Sequence, residues 1–305
     1  MIYHITFNKN CLNKYDFFLY INLMTEANIL QDPTKIPPPI FPANPEMSSK
    51  KPIVVTPTMF NRLYGKHDVL DGEYKLNQKV LAELIGTCLF IYGVCGSGVF
   101  AGDPVISFLG GSFMGGIIIY IFGRVSGAHF NPAVSLALFI RQKLNCLEFG
   151  LYVAAQIIGA FIGCILIALC RRGKFEEMAA NKIQDYLIYT DGGTKKNAWC
   201  YIGALICEII TTFVLIMFIL ASCEKDNYLG PVLGLGFSTT VLSMSAVGGN
   251  ISGCSMNPVR SLVPALIQVM AGGDKTPIKQ IWIYIVGPFL GSAIAAFVWP
   301  IFIYQ

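Results

Sequence analysis

The chain is predicted to be an all-α membrane protein, with six transmembrane helices plus two re-entrant half-helices arranged as inverted three-helix repeats. Three observations carry that expectation. Residues 126–135 read SGAHFNPAVS and residues 252–261 read SGCSMNPVRS, so one unusual ten-residue signature occurs twice, 126 positions apart. The composition is 54% hydrophobic and 13% charged with a mean hydropathy of +0.58, against ~25% charged residues in an average soluble domain. Finally, the charges avoid six stretches long enough to cross a bilayer, at 79–101, 105–123, 148–170, 200–222, 230–248 and 280–303. Within those windows the ionisable acids are Glu83, Glu148 at an edge and Glu208, and Lys79 stands at a flank.

Residues 1–76 differ from the rest, being polar and broken by PPPIFPANP at 37–45, which favours an extended or disordered, regulatory tail. Its apolar piece FFLYINLM at 17–24 lacks a small-residue cleavage site and is expected as an interfacial helix or a minor start-site extension, not as a signal peptide or a seventh span. Residues 77–305 form the membrane domain, with repeats at about 77–171 and 199–305.

Each ten-residue signature is a helix start: Asn at the cap and Pro at the first helical position, after a small-residue turn of Ser and Gly. The apolar helix after Pro132 ends near Ile140, a length of ~14 Å against a hydrocarbon core of ~30 Å, so it penetrates halfway. Its counterpart covers 258–270. Backbone that stops inside a bilayer is tolerated where protein buries it or water lines it, which argues for a cavity. The repeat reaches beyond the signature, because AELIGTCLFI at 82–91 aligns with CEIITTFVLI at 207–216. Each unit holds three full spans, an odd number, so the second must enter the membrane upside down. The half-helices then dip in from opposite faces, and their positive N-terminal ends bring Asn131 and Asn257 together near the midplane.

Other classes find no support. Net charge is +4 and the basic residues are scattered, so no nucleic-acid partner is expected. The ten cysteines include no CxxC, and His4, His67 and His129 cannot complete a zinc site of ordinary spacing, so neither metal nor cofactor is expected. No nucleophile–base pair or phosphate loop points to an enzyme.

Over residues 77–305 the chain resembles the aquaporins, or major intrinsic proteins. The two Asn-Pro signatures carry the resemblance, together with Glu83, Glu208, Gln156 and Gly287-Pro288. The resemblance implies a homotetramer with one pore per subunit, passing water and excluding protons and ions. Water at the midplane would accept hydrogen bonds from the amides of Asn131 and Asn257, each with two donors, while the half-helix dipoles and Arg260 oppose cations. It further implies that Glu83 and Glu208 satisfy the backbone of the re-entrant loops, and that His129 packs inside the first loop. By the family's spacing the selectivity filter falls on Gly111, Ser245, Cys254 and Arg260. Gly and Ser at the first two places leave a wider ring than the bulky pair of water-selective members, and resemble plant nodulin-26-like members that pass glycerol, urea or metalloid acids. Ser261 and Ala265 resemble water channels instead. Val259 replaces the usual Ala and puts a β-branched side chain where the half-helices pack tip to tip, with the prospect of a narrowed pore.

Three functions are thus expected in order of weight: a passive channel for water and small neutral solutes, a closed structural or adhesive protein of the same fold, and a coupled transporter using Glu83 or Glu208. Both termini are assigned to the cytoplasm from the resemblance, in a plasma or intracellular membrane. Loop 171–199 becomes an extracellular turret or lid, and the tail the better gating candidate.

Overall fold

The structure is a computed structural model and describes residues 74–185, 197–223 and 232–303. The tail assigned to 1–76, with its FFLYINLM piece, lies outside the described residues up to 73. Residues Gly72–Gln305 form one unit by their internal contacts.

Long helices occupy the windows in which charge is scarce. These are α1 (Leu76–Phe100), α2 (Pro104–Ser126), α4 (Cys146–Cys170) and α5 (Ala198–Ser222), each long and apolar enough to cross a membrane. Their starts are set by local chemistry. Asp103 accepts from the Ile106 amide at 3.0 Å ahead of Pro104, and Asn145 forms a reciprocal capping box with Glu148. The fifth window appears as α6 (Leu233–Gly248), 16 residues long, with 224–231 outside the described residues. The short turn α8 (Thr276–Lys279) leads into α9 (Ile281–Val298), which continues to α10 (Pro300–Ile303) as one apolar span of 23 residues. The half-helices are α3 (Pro132–Ile140) and α7 (Pro258–Met270), with the boundaries expected from sequence.

Each half-helix is buried mainly against the opposite repeat. Val134, Ala137 and Leu138 of α3 form one apolar cluster with Ile216 and Leu220 of α5 and Ala295 of α9. Val259, Val263 and Ile267 of α7 form another with Ile91 and Cys95 of α1 and Cys164 of α4. Val259 is thus buried in an apolar cluster of the helix bundle, at 3% exposure, and is not among the residues that line the cavity described below.

Close helix crossings hold the scaffold. A Cβ added at Gly159 would lie 2.3 Å from the Leu84 carbonyl oxygen, and one added at Gly291 would lie 2.3 Å from that of Ile209. These are repeat-related positions, so α1 against α4 and α5 against α9 each meet backbone to backbone, the close approach that small residues allow in membranes. The outside carries the opposite pattern, with Val105, Leu169 and Phe297 all more than 60% exposed. Such a surface suits hydrocarbon, and the chain is an integral, multi-pass membrane protein.

The segment after α4 does not stand up as a turret in its described part, 171–185. It folds down onto the second repeat and buries Met178 and Ile183 completely. The Met178 amide donates to Gln268 Oε1, the Ile183 amide to Gln280 Oε1, and the Gln184 amide to the Ile251 carbonyl. These backbone groups would otherwise be orphaned in a buried loop. Residues 186–196 lie outside the described residues.

Candidate pore site

The two loops that precede the half-helices repeat the same backbone, residue for residue. Gly127 has φ +88° and Gly253 +82°; Ala128 and Cys254 follow at +53° and +47°, and Phe130 and Met256 at +49° and +54°. Four non-glycine residues in the left-handed region cost roughly 1–3 kcal/mol each. What offsets that strain is a buried carboxylate beneath each loop. Glu83 accepts from the amides of His129 (2.9 Å) and Phe130 (2.8 Å), and from Ser126 Oγ at 2.6 Å. Glu208 accepts from the amides of Ser255 (2.8 Å) and Met256 (2.9 Å), and from Ser252 Oγ at 2.6 Å. Charge-assisted bonds of this kind are about twice as strong as neutral ones. Tyr152 and Tyr284 close each loop by donating to the carbonyls of Ser126 and Ser252.

The repeats differ at one partner. Gln156 Nε2 donates to Glu83 at 2.9 Å, whereas Pro288 stands at the matching place beside Glu208 and cannot donate a side-chain bond. His129, 6% exposed, places Nδ1 3.0 Å from Ser135 Oγ and its ring edge-on to Tyr152 at 5.1 Å.

At the junction, the Asn131 and Asn257 side chains face each other's loops. Asn131 Nδ2 donates to the Met256 carbonyl at 2.8 Å, and Asn257 Nδ2 to the Phe130 carbonyl at 2.9 Å. Each Oδ1 meanwhile caps its own helix, accepting from Ala133 in α3 and from Val259 and Arg260 in α7. An amide has two N–H donors, and each Asn uses one across the junction. One donor per Asn, not two, is left for a passing molecule. The half-helices meet N-terminus to N-terminus, which adds two partial positive ends at one place.

A cavity of about 120 Å³ runs past this junction. Gly111, Ser245, Cys254 and Arg260 all line it, as do Asn131, Asn257 and His129, while Glu83 and Glu208 lie behind the loops with no exposed surface. Apolar side chains complete the wall, among them Val94, Phe108, Phe237 and Val241. The Cys254 thiol donates to the Met244 carbonyl at 3.2 Å and is 7% exposed. Arg260 is tied by Nη1 to the Ala179 carbonyl at 3.0 Å, in the folded-down segment after α4. Asn181 in the same segment donates to the Gly253 carbonyl and accepts from Ser261 Oγ. Ala179 carries no signature in the sequence, since a backbone carbonyl can be offered by any residue, and Asn181 stands in a loop that gives no sign of its partners.

Comparison with known proteins bears on family and fold. The family model described as major intrinsic protein matches residues 72–299. Aquaporin NIP1-1 of Oryza sativa subsp. japonica is 34% identical over 231 residues, covering 73% of this chain and 74% of that protein. Putative aquaporin NIP4-1 of Arabidopsis thaliana is 36% identical over 232 residues, covering 73% and 74%. Nodulin-26 of Glycine max is 31% identical over 231 residues, covering 73% and 77%. In fold, the chain is similar to the aquaglyceroporin from Plasmodium falciparum, with a TM-score of 0.64 at 21% identity, covering 75% of this chain and 98% of that one. With a family model matching most of its length and aquaporins above 30% identity, the chain belongs to the major intrinsic protein family.

Proposed function

We propose that this protein is a passive transmembrane channel for water and for small neutral solutes such as glycerol, urea or metalloid acids, and that it excludes protons and ions. The observation that carries the proposal is the reciprocal pair of bonds between Asn131 and Met256 and between Asn257 and Phe130, at the wall of one cavity. A water molecule there meets one free N–H from each Asn, both fixed in direction by their second bonds. It must present its oxygen to both, which turns its hydrogens away from the junction and leaves no continuous proton wire. The positive ends of α3 and α7 oppose a cation at the same point. Arg260 repeats that barrier as a full charge, and its guanidinium N–H groups also offer hydrogen bonds to a solute oxygen. Opposite it, Gly111 and Ser245 present little bulk, which favours solutes wider than water.

Glu83 and Glu208 serve as fixed acceptors for the loops, a use that leaves them no place in a coupled proton relay. Val259, packed among Ile91 and Cys95, gives no support to a closed pore. No catalytic step is assigned. From the family resemblance we further assign a homotetramer with one pore per subunit, cytoplasmic termini, and a membrane domain of 77–305 preceded by a regulatory tail of 1–76.

The test is stopped-flow light scattering of liposomes containing the purified chain, under sorbitol and then glycerol or urea gradients. Fast flux of water and of the solutes supports the channel with a wide filter. Water flux with impermeant glycerol assigns a narrow pore. Flux no faster than in empty liposomes, for the full chain and for a chain lacking residues 1–76, rejects the channel.

A further inference from the structure

Two thiols lie close together beside the cavity, Cys254 at its wall and Cys207 behind it. Cys254 belongs to the second re-entrant loop and lines the cavity. Cys207 lies on α5, one residue before Glu208. Gly248, the last residue of α6, faces both: a Cβ placed on it would lie 2.9 Å from Cys207 Sγ and 3.2 Å from Cys254 Sγ. The two sulfurs are therefore no farther apart than those two lengths laid end to end, and the residue facing both of them has no side chain. Both thiols are free, at 8% and 7% exposure. Polar contacts orient both, Ser252 Oγ at 3.8 Å from Cys207 Sγ and the Met244 carbonyl at 3.2 Å from Cys254 Sγ, which the Thr211 side chain also meets.

We propose that Cys207 and Cys254 form a two-thiol site for trivalent arsonous acids, entered from the cavity. A soft centre prefers sulfur ligands, and two thiols held close together bind it as a chelate that a single thiol cannot match. In the binding step two As–O bonds of R–As(OH)2 break and two As–S bonds form. Each thiol proton leaves with a hydroxide as water, so arsenic stays trivalent and no oxidant or reductant is needed. Access depends on the channel function proposed above; the site itself depends only on the two sulfurs and Gly248.

The test uses the full chain in liposomes and methylarsonous acid, whose methyl group leaves two exchangeable positions. After washing with 2-mercaptoethanol to strip arsenic held by single thiols, intact-mass spectrometry counts the arsenic retained per subunit. C207S and C254S, each checked for folding by size-exclusion chromatography, should each retain one arsenic fewer than the unmodified chain. G248A, which pushes a methyl group against both sulfurs, should lower retention about tenfold, a shift of about 1.4 kcal/mol. In the unmodified chain, loss of water flux should be reversed by 2,3-dimercaptopropanol and not by 2-mercaptoethanol. Retention in C207S equal to that of the unmodified chain, or no retention in the unmodified chain, overturns the site. Because retention is read by mass, arsenic held by the pair in liposomes that pass no water would keep the site and reject the channel.

Discussion

Arg260 is held by the backbone of Ala179, 81 residues earlier, through an Nη1 bond of 3.0 Å to its carbonyl oxygen. The fixed charge of the candidate filter is thus aimed by a segment that belongs to neither repeat. Asn181 pins that segment, since its side chain bridges the Gly253 carbonyl and the Ser261 hydroxyl.

Asn181→Ala should therefore act on Arg260 without touching it. The Gly253 carbonyl loses its side-chain donor, at about 1–3 kcal/mol, while the Ser261 hydroxyl keeps Ser255 Oγ. Melting temperature in detergent should fall by several degrees, and the ratio of glycerol to water permeability should change in stopped-flow assays. An unchanged ratio would mean that Ala179 stays in place without Asn181.

Glu208→Gln should be more damaging than Glu83→Gln. In either variant an amide NH2 faces a loop N–H that previously met a carboxylate oxygen, leaving a buried donor unpaired at about 1–3 kcal/mol. Beside Glu83, however, Gln156 has an Oε1 with no partner, and rotating its amide offers that oxygen to the new NH2. Pro288 gives Glu208 no such relief. Thermal melting of the two variants, side by side, checks the order.

Mercurials should block water flux through Cys254, since it is the cysteine that lines the cavity among those described. Cys254→Ser should retain most of its flux at a mercurial concentration that stops the unmodified chain. Equal inhibition would place the reactive thiol elsewhere.

Gly111→Phe combined with Ser245→His should narrow the cavity. A Cβ at Gly111 meets Val94 at an ordinary 3.4 Å, so the backbone accepts a side chain there. Glycerol and urea permeability should fall at least tenfold, about 1.4 kcal/mol of added barrier, while water flux persists. Solute flux that survives in the double variant would show that neither residue sets the width.

The helices and half-helices were legible because a bilayer imposes length and apolarity, and because Asn-Pro marks a helix start wherever it falls after a turn. α3 and α7 begin and end where the apolar runs do. The filter positions were reachable only through the family's spacing, as nothing in the character of Gly111 or Ser245 sets them apart from other small residues. The packing of Val259 was not legible because helix phase, which decides whether a residue faces the axis or the bundle, cannot be fixed from one turn of sequence. Segment 171–185 read as a polar loop because, the Asn181 side chain apart, its contacts with the second repeat are made largely by backbone atoms, and Ala179 contributes a carbonyl that every amino acid possesses.

The exchange between Asn131 and the Met256 carbonyl, and between Asn257 and the Phe130 carbonyl, joins atoms 125 and 127 residues apart. During synthesis the first half must wait in the membrane with one amide donor and one carbonyl unanswered, until the second half has been made and has turned over. Half a chain can thread three spans, but it cannot finish its own loop. Completion of the passage and completion of the fold are then one event.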